Sequence, residues 1–477
     1  MQNKFRAELA TFGLKEFRPL QETVIQEIVK SGQAFVVMPT GSGKSLTYQL
    51  PALLLPDLTL VLSPLKALMK DQVDKLRGLG ISATYINSDV NRQEREKRLQ
   101  LAQSQKLKLL YVTPERFRKT EFLEAFKTIK VSLLVVDEAH CISQWGHDFR
   151  PEYSRVGEIQ RFLLKASPDM KTLALTATAT SEVKKDILNQ LKIPPQQHFF
   201  LPITRPNLAI RICDLYGKDQ KIESILQILS KQNPSHSTII YCSLISTLEE
   251  FSQVLAQKKI FHEKFHGDLN SNQRKRSQEA FLSGESKLIL ATPAFGLGVD
   301  KSDIRTVIHA EIPGSIEAYF QEIGRAGRDG QPADCILLYD EEDISTQMEF
   351  IKWSNPDGSF IRQIFQLVKK NQSRVAQEGA DYLRGELNFY NSRDFRTETA
   401  LNLLRSWDVL QDWTVLSEDL EPWIDDTARS QKLKRQNEKL LNVVQFIKTD
   451  QCRAQFIYNY FAESATKPCG LCDNCLV

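Results

Sequence analysis

The run AFVVMPTGSGKS (residues 34–45) joins a short apolar segment to a glycine-rich turn. The apolar residues predict a buried β-strand, and the residues after Ser45 are compatible with a helix. Backbone N–H groups in such a turn, together with the N-terminus of the following helix, can surround phosphate oxygens. The run therefore predicts a strand, a phosphate-binding turn and a helix, in that order.

Two residues at the end of this turn have the chemistry of a nucleotide site. Lys44 can reach the β- and γ-phosphates of a nucleoside triphosphate, and Ser45 can ligate Mg²⁺. Met38 stands where the common GxxxxGKS spacing has its first glycine, so a chance glycine turn is the alternative. The residues predicted to hold the nucleotide are Met38, Pro39, Thr40, Gly41, Ser42, Gly43, Lys44 and Ser45.

Short apolar runs alternate with polar, helix-compatible stretches on both sides of a proline-rich break. The runs AFVVM, TLVLS, LKLLYV, SLLVVD and TLALT precede the break, and STIIYC, HEKFH, KLILAT, TVIHAE and CILLYD follow it. This alternation is typical of parallel α/β domains. The prolines in residues 192–207 predict a linker there. We therefore expect two α/β lobes, residues 1–200 and 207–343, with a cleft between them.

The run VVDEAH (residues 135–140) ends a predicted strand with polar side chains, at the edge where a parallel sheet presents functional groups. Asp137 is suited to hold Mg²⁺, and Glu138 is placed to orient or deprotonate a water molecule. His140 contacts the γ-phosphate, relays to the second lobe, or caps its own turn. A divalent cation beside a carboxylate base predicts a hydrolase.

The run QEIGRAGRDG (residues 321–330) offers Gln321 and two arginines, Arg325 and Arg328. If the run is helical, the two guanidinium groups lie one turn apart. Either arginine can complete the phosphate site from the far side of the cleft, where such a group accelerates hydrolysis by roughly 10³- to 10⁵-fold. A structural salt bridge for one of them is the alternative.

Composition places the 477-residue chain among ordinary soluble proteins. It is 42% hydrophobic and 25% charged, and no apolar run is long enough for a membrane span. The N-terminus has no apolar signal core, so we expect a cytoplasmic protein without membrane contact. The net charge of +3 is too small to argue for nucleic acid by itself.

Half of the 8 cysteines are concentrated near the C-terminus, at Cys452, Cys469, Cys472 and Cys475. Two successive CxxC steps and a further thiol are the ligand set of a tetrahedral Zn²⁺. The segment after Cys452 is helical in pattern, so this cysteine is expected to close the site from a helix. Disulfide bonds are the alternative, which a cytosolic location disfavours.

Helical patterns replace the strands after residue 344. Residues 379–413 suggest helices that lead into a short hairpin, as in a winged helix. A basic helix follows from about Ser430, and its basic side is either phosphate-binding or solvated. We expect two units here, residues 345–426 and 427–477. The predicted packed face of the basic helix consists of Leu440, Val443, Val444 and Ile447.

An aromatic and basic loop lies a few residues after the VVDEAH run. It contains Trp145, His147, Phe149 and Arg150. Aromatic rings can stack on bases of any sequence, at roughly 1–3 kcal/mol per base, beside a cation. Burial of Trp145 and Phe149 in the core is the alternative.

These motifs occur in the order found in superfamily 2 helicases, and the chain resembles the RecQ family of DNA helicases over about residues 5–343 and 448–477. The resemblance also rests on FGLKEFRPLQ, SPLKALMKDQV, TPER, LTATAT, IIYC, HGDL and ATPAFGLGVDKSDIR. It implies two tandem RecA-like parallel-sheet lobes that close on ATP and move 3′ to 5′ along one DNA strand. The implied role is unwinding of duplex or branched DNA, including four-way junctions, in recombination and repair.

The resemblance also assigns individual residues. Gln21 is implied to bind the adenine edge with Arg18 nearby, although Leu14 replaces the aromatic residue that stacks on adenine in many members. The aromatic loop is implied to sense single-stranded DNA and to license hydrolysis. The residues implied to contact DNA phosphates are Ser63, Lys66, Thr113, Arg116 and Thr292.

The C-terminal segment resembles the RecQ zinc module, CRxxxLxxYF…CGxCDxC, which supports Zn²⁺ at the four cysteines. In the common family layout this module closely follows the second lobe, whereas residues 344–447 intervene here. Because the sequence ends at Val477, we expect a short form without the helical C-terminal accessory domain. Our hypothesis is that residues 345–426 include a relocated winged helix that binds duplex DNA.

Two other functions are open from the sequence. One is an RNA helicase or a translocase that does not separate strands, and the other is a DNA-binding or annealing module with a vestigial ATPase. The presence of Lys44, Asp137, Glu138 and Arg328 argues against the vestigial ATPase. We expect a monomer that binds single-stranded and branched DNA, with single-strand-binding protein or recombination proteins as candidate partners.

Overall fold

The computed structural model describes residues 2–143, 151–296, 301–387, 394–462 and 467–476. The first lobe is built on a sheet whose neighbouring strands are all parallel. The strands are β1 (Gln33–Val37), β2 (Leu58–Leu62), β3 (Ala83–Ile86), β4 (Leu109–Val112), β5 (Val131–Val136), β6 (Lys171–Thr176) and β7 (His198–Phe200). They lie in the order β3-β4-β2-β5-β6-β1-β7.

Helices connect these strands and cover both faces of the sheet. They are α1 (Gln2–Thr11), α2 (Gln21–Lys30), α3 (Leu46–Leu54), α4 (Lys66–Gly78), α5 (Arg92–Gln103), α6 (Thr120–Phe126), α7 (Val156–Ala166) and α8 (Ser181–Leu191). Along β1, Phe35 and Val37 enter one buried cluster, whereas Ala34 and Val36 enter another. Because both faces are covered, the strands appear in the sequence as continuous apolar runs.

The second lobe repeats this design with a six-stranded parallel sheet in the order β10-β11-β9-β12-β13-β8. Its strands are β8 (Leu208–Asp214), β9 (Ser237–Tyr241), β10 (Glu263–Phe265), β11 (Leu288–Ala291), β12 (Ile304–His309) and β13 (Ala333–Tyr339). Its helices are α9 (Gly217–Lys231), α10 (Ile245–Gln257), α11 (Ser271–Ser283) and α12 (Ile316–Ile323). The predicted pair of parallel-sheet lobes is confirmed.

Strands β3, β7 and β8 are absent from the sequence prediction. β7 lies within the predicted linker and pairs with β1, so the linker prediction is wrong at His198–Phe200. β3 and β7 are only 4 and 3 residues long, too short to show a clear pattern. β8 has two exposed residues and only two buried ones, so it lacks the continuous apolar run that marks the other strands.

Beyond the second lobe the chain is mainly helical, as predicted. The elements are α13 (Glu342–Trp353), α14 (Gly358–Lys370), α15 (Gln372–Glu378), α16 (Ala380–Glu386), α17 (Arg396–Ser406) and an antiparallel hairpin of β14 (Leu410–Gln411) and β15 (Thr414–Val415). Elements α14 to β15 share a separate apolar core that includes Ile361, Phe365, Leu383, Leu401 and Val409. The unit combines helices with a hairpin, and its assignment as a winged helix stays a prediction.

Two further helices, α18 (Asp426–Lys448) and α19 (Arg453–Tyr460), lead to the C-terminal cysteines. α18 begins earlier than predicted, because the Asp425 side chain caps it by accepting a hydrogen bond from the Ala428 N–H (2.9 Å). A carboxylate at this end of a helix also interacts favourably with the helix dipole. The acidic residues before the helix therefore help to start it.

The packed face of α18 joins the buried core of the second lobe. Leu440, Val443 and Ile447 are buried as predicted, and the larger Phe446 is buried in place of Val444. This packing attaches the C-terminal part of the chain to the second lobe. Within the described ranges, no helix combines the length and the apolar character needed to cross a membrane.

Candidate nucleotide cleft and zinc centre

The glycine-rich turn between β1 and α3 is held by two side chains from the N-terminal segment. Gln21 Nε2 donates to the carbonyl oxygens of Ser42 (3.2 Å) and Gly43 (3.0 Å), and Arg18 donates to that of Gly41 (2.6 Å). Gly41 and Gly43 both have φ of +81°, a left-handed conformation that glycine adopts without strain. A Cβ on Gly43 would also lie only 2.5 Å from Gln21 Nε2. Gln21 and Arg18 thus fix the turn, and their contact with adenine stays a prediction.

Lys44 presents a buried ammonium group at this turn. Its Nζ has no hydrogen-bond partner among the described residues. Lys44 also lines the cleft between the two lobes. A buried ammonium is costly unless an anion joins it, and the N–H groups of the turn favour the same kind of ligand. The site therefore fits the phosphates of a nucleotide.

Asp137 and Glu138 follow β5 at the same edge of the sheet as the turn. Burial, and then the adjacent charge of Glu138, raise the pKa of Asp137, while Lys44 opposes this shift. Glu138 has φ of +48°, a strained conformation for a non-glycine residue and one that concentrates at functional sites. A divalent cation would stabilise both carboxylates, so the pair fits Mg²⁺, with Ser45 as the predicted third ligand.

His140 contacts Glu138 and the LTATAT segment, and it is not among the residues that line the cleft. Its Nδ1 lies 2.9 Å from Thr176 Oγ1 and 3.3 Å from a carboxylate oxygen of Glu138. Burial lowers the pKa of His140, but Cys141 and Glu138 outweigh burial and raise it to about 10. A protonated ring would hold the Glu138 carboxylate in position. These contacts lie within the first lobe.

The segment after α12 is a turn, so the helical spacing considered for Arg325 and Arg328 is wrong. Gly327 has φ of +55°, outside the helical range. Arg325 is buried and donates to the carbonyl oxygen of Gly296. The side chain of Arg328 packs against Gly41, 3.4 Å from where a Cβ of that glycine would lie. Arg328 therefore meets the phosphate turn from the second lobe.

One cleft of about 620 Å³ collects these groups, a size that suits a nucleotide. Thr40 Oγ1 donates across it to the carbonyl oxygen of Gly324 (3.4 Å). Met38, Pro39, Ser42 and Asp137 are not among the residues that line the cleft. Asp137 is buried beside Glu138, and Met38 is buried in the core of the first lobe. The predicted residues that do line it are Arg18, Gln21, Thr40, Gly41, Gly43, Lys44, Ser45, Glu138, Gln321, Arg325 and Arg328, together with Leu14.

One face of α4 also borders the cleft and is missing from the sequence prediction. Its cleft-lining residues are Leu68, Asp71, Gln72 and Lys75. Their i, i+3, i+4 and i+7 spacing places them on one side of the helix. Burial raises the pKa of Asp71, with Lys75 opposing the shift. The helical spacing after SPLK is the signal that could have identified this face.

Arg205 holds the arginine-bearing turn in place and is also missing from the prediction. Its guanidinium donates to the carbonyl oxygens of Gly324 (3.1 Å) and Gly327 (3.0 Å). Asn207 Nδ2 donates to the same oxygen of Gly327 (2.9 Å). Arg205 therefore fixes the backbone on both sides of Arg325. No local pattern marks it, because its partners lie 119 and 122 residues away in sequence.

The four C-terminal cysteines converge on one point, with all sulfur atoms within 4.8 Å of one another. The Sγ–Sγ distance is 3.4 Å for Cys472 and Cys475, 3.9 Å for Cys469 and Cys475, and 4.0 Å for Cys452 and Cys472. Zn–S bonds of about 2.3 Å in a tetrahedron separate the ligands by about 3.8 Å. All cysteines of the chain are free thiols, so the disulfide alternative is not formed. The cluster fits Zn²⁺.

Backbone and side-chain contacts hold this cluster against the second lobe. Cys452 lies immediately before α19 rather than within it, and its sulfur accepts a hydrogen bond from the Cys469 N–H (3.2 Å). Arg453 Nε donates to Asp473 Oδ1 (2.9 Å), and Asp473 Oδ2 accepts from the N–H of Ile212 in β8 (2.9 Å). Such contacts around a metal centre orient its ligands.

Comparisons with known proteins match these parts in the same order. Residues 18–186 match the DEAD/DEAH box helicase family, residues 220–330 the helicase conserved C-terminal domain, and residues 416–476 the RecQ zinc-binding family. The chain is 35% identical to the ATP-dependent DNA helicase RecQ of Bacillus subtilis, over 97% of this chain and 65% of that protein. It is 34% identical to the probable ATP-dependent DNA helicase RecS of the same organism, over 97% of this chain and 90% of that protein. The chain belongs to the RecQ family of DNA helicases.

Membership of the RecQ family confirms the resemblance seen in the sequence, and it confirms ATP, Mg²⁺ and Zn²⁺ as the predicted cofactors. The chain spans 65% of the length of the B. subtilis RecQ. A solved structure of S. cerevisiae Dbp5 bound to RNA and ADP BeF3 is similar with a TM-score of 0.58 at 18% identity, covering 73% of this chain and 90% of that one. At this identity the likeness supports the two-lobe fold alone.

The residues that the RecQ resemblance assigns to DNA lie mainly at strand ends. Ser63 follows β2 and Thr113 follows β4, and these strands are neighbours in the first sheet, whereas Thr292 follows β11 in the second lobe. Lys66 is exposed at the start of α4, and burial lowers the pKa of Arg116. Their contacts with DNA stay predictions. The predicted loop residues Trp145, His147, Phe149 and Arg150 lie outside the described residues.

Proposed function

We propose that this protein is an ATP-dependent DNA helicase that moves 3′ to 5′ along one strand and unwinds duplex or branched DNA in recombination and repair. The shared cleft is the observation that carries this proposal, because Lys44 and Glu138 of the first lobe face Arg325 and Arg328 of the second across it. The RecQ relative is named an ATP-dependent DNA helicase and the RecS relative a probable one, which supports the ATP-dependent helicase part of the proposal.

The proposed roles of the cleft residues follow from their positions. Lys44 would bind the β- and γ-phosphates of ATP, Ser45 and Asp137 would hold Mg²⁺, and Glu138 would orient the attacking water. Arg328 stabilises the charge that develops on the γ-phosphate from the other lobe. Because the two lobes supply different groups to one substrate, its hydrolysis changes the preferred separation of the lobes. Repeated cycles would then move the protein along a strand.

DNA is the proposed track, and the winged-helix unit is its proposed duplex-binding part. The RecQ and RecS relatives are named as DNA helicases, which supports DNA over RNA. The hairpin of β14 and β15, packed on α14 to α17, supports the winged-helix hypothesis for residues 345–426. We further propose the remaining units as residues 1–200, 207–343 and 427–477. A cytoplasmic monomer, with single-strand-binding protein or recombination proteins as partners, completes the proposal.

ATP turnover and strand separation test this function. We expect single-stranded DNA to stimulate ATP hydrolysis and RNA to leave it near the basal rate. We also expect unwinding of duplexes with a 3′ tail but not of those with a 5′ tail, with forks and four-way junctions compared in the same assay. Equal stimulation by RNA, or stimulation without strand separation, would favour the RNA helicase or translocase. An absence of turnover with DNA would favour the vestigial ATPase.

Replacing Arg205 by glutamine is expected to lower kcat for DNA-stimulated ATP hydrolysis by roughly 10- to 10²-fold, with a smaller change in KM. Arg205 fixes the turn that carries Arg325 and Arg328. Displacing a catalytic group by about 1 Å can lower the rate of reaction by about 10²-fold. Steady-state ATPase kinetics measure the effect.

Arg211→Gln is the matched control for Arg205→Gln, because Arg211 lies on β8 with a half-exposed side chain and pairs only with Asp334 among the described residues (3.2 Å). It should retain the wild-type kcat. If Arg205→Gln also retains the wild-type kcat and only its melting temperature falls, the positioning role is wrong.

A further inference from the structure

A second groove lies between the first lobe, the second lobe and the helical region, with a volume of about 770 Å³. Arg118 and Arg155 line it from the first lobe, Ser315 lines it from the second, and Trp407 closes it from the end of α17. Arg118 also donates to the carbonyl oxygen of Ser406 (3.1 Å), which ties the first lobe to the helical region. The groove shares no lining residue with the nucleotide cleft. It is therefore a separate site.

The charged side chains that line this groove are all cationic. They are Arg118, Arg155, Arg429, Lys432, Arg435 and Lys439. Carboxylates are absent from the described residues of its walls, and those that pair with these cations, such as Glu317 beside Lys439 (3.4 Å), lie outside the lining. The whole chain carries a net charge of only +3, so six lining cations are a local excess of positive charge, although Arg118, Arg155, Arg429 and Lys439 have carboxylate partners outside the lining. Such a surface attracts a polyanion.

Lys432 gives the most direct evidence that the groove binds an anion from outside the chain. Burial, and then the charge of Arg429, lower its pKa. Its polar contact within the described residues is the carbonyl oxygen of Ser354 (3.5 Å), and it forms no ion pair with any of them. Keeping two cations close together in a partly buried place is unfavourable unless an anion neutralises them. Arg429 pairs with Asp426 (3.8 Å), whereas no carboxylate of the described residues forms an ion pair with Lys432.

Aromatic rings lie among these cations. Phe350, Phe395 and Trp407 line the same groove. The rings of Phe350 and Phe395 are in contact, with centroids 6.2 Å apart. Rings beside cations match a chain in which flat bases alternate with phosphates, because bases stack on rings while cations bind the backbone. An acidic peptide or a free phosphate would use the cations without this alternation.

We propose that this groove binds one strand of single-stranded DNA, with the cations of α18 on its phosphates and the aromatic rings against its bases. The proposal rests on the proposed helicase function and adds a strand-binding site outside the helicase motifs. A duplex does not fit, because the groove is bordered by three parts of the chain and its volume of about 770 Å³ is that of a small-ligand pocket. A few nucleotides of an extended strand do fit.

Charge reversal on α18 tests the site, with fluorescence anisotropy of a labelled oligothymidylate as the measurement. Lys432→Glu should weaken binding by about 10-fold and reduce the slope of log affinity against log salt by at least about 0.7, the contribution of one phosphate contact on a single strand. Arg435→Gln, a milder change in the same groove, should shift both quantities in the same direction.

Lys434→Glu is the matched control, since it makes the same charge change two residues along α18 on a side chain that is 79% exposed and outside the groove. It should leave the affinity and the salt slope close to wild type. Equal effects of Lys432→Glu and Lys434→Glu would overturn the groove assignment. The assignment to DNA would also be overturned if Lys432→Glu lost binding to a labelled oligoglutamate peptide but kept its affinity for DNA.

The same assay separates this inference from the proposed function. If wild-type protein binds oligothymidylate and DNA stimulates its ATPase, but Lys432→Glu and Arg435→Gln bind as wild type does, only the groove inference fails. If wild-type protein neither binds oligothymidylate nor responds to it with ATP hydrolysis, the proposed helicase function fails first. Unchanged melting temperatures of the variants establish that any lost affinity reflects binding rather than folding.

Discussion

Replacing Lys44 by alanine is expected to reduce ATP hydrolysis by at least about 10²-fold, the usual effect of removing one group that stabilises transition-state charge. The Nζ of Lys44 is buried at the phosphate turn without a hydrogen-bond partner in the described part of the chain. Its charge therefore remains available for the β- and γ-phosphates. Steady-state kcat with saturating single-stranded DNA measures the effect, and binding of labelled DNA by the same variant should persist.

Lys127→Ala is a suitable control for Lys44→Ala, because Lys127 follows α6 with a side chain that is 58% exposed and pairs with Glu124 (2.6 Å). We expect wild-type turnover from this control. Substantial turnover in Lys44→Ala would contradict the assignment of the phosphate site. Loss of DNA binding together with turnover would show instead that the variant had disturbed the first lobe.

Removing zinc is expected to have the largest effect on stability. Zinc binding contributes about 10–16 kcal/mol to the folding of small zinc peptides at pH 7, and this cluster has the sulfur geometry of such a site. Cys452 and Cys472 also belong to the buried cluster that contains residues of β9 and α12. Cys472→Ser should therefore lower the thermal stability of the second lobe as well as that of the C-terminal segment.

Metal analysis and calorimetry test the zinc prediction together. Wild-type protein should contain one zinc per chain, and Cys472→Ser should contain much less and melt at a lower temperature. Cys213→Ser provides the control, because Cys213 is a half-buried free thiol outside the cluster. A wild-type preparation without zinc and with normal stability would show that the sulfur atoms do not need a metal.

The nucleotide cleft could be predicted to the extent that its residues follow buried strands. β1 and β5 are mainly apolar and buried, so the polar residues after them, Lys44 and Glu138, are expected at the same edge of the sheet. The cysteine cluster was equally accessible, because CxxC spacing records the metal geometry directly. In both cases a local sequence pattern, polar residues after a buried strand or the CxxC spacing, identifies the residues that form the site.

Contacts between distant segments could not be predicted in this way. Arg205 donates to the backbone carbonyl oxygens of Gly324 and Gly327, and every residue has such an oxygen. No side chain near Arg205 or in the arginine run therefore indicates that the two segments are in contact. The cationic groove depends on how α18 is oriented against two lobes, and the sequence left the basic side of this helix undecided between solvent and phosphate. Strands as short as β3 and β7 form because neighbouring strands are already in place.

The hydrogen bond between Asp473 and Ile212 has a consequence for solubility. β8 is one of the two edge strands of the second sheet, and the outer N–H and C=O groups of such a strand can recruit a strand from another molecule. The segment around the cysteines covers this edge, and Lys448 places a charge beside Asp214 at its end (3.3 Å). By holding this segment over the edge of β8, zinc would reduce aggregation. Protein produced in zinc-starved cells is therefore expected to form inclusion bodies.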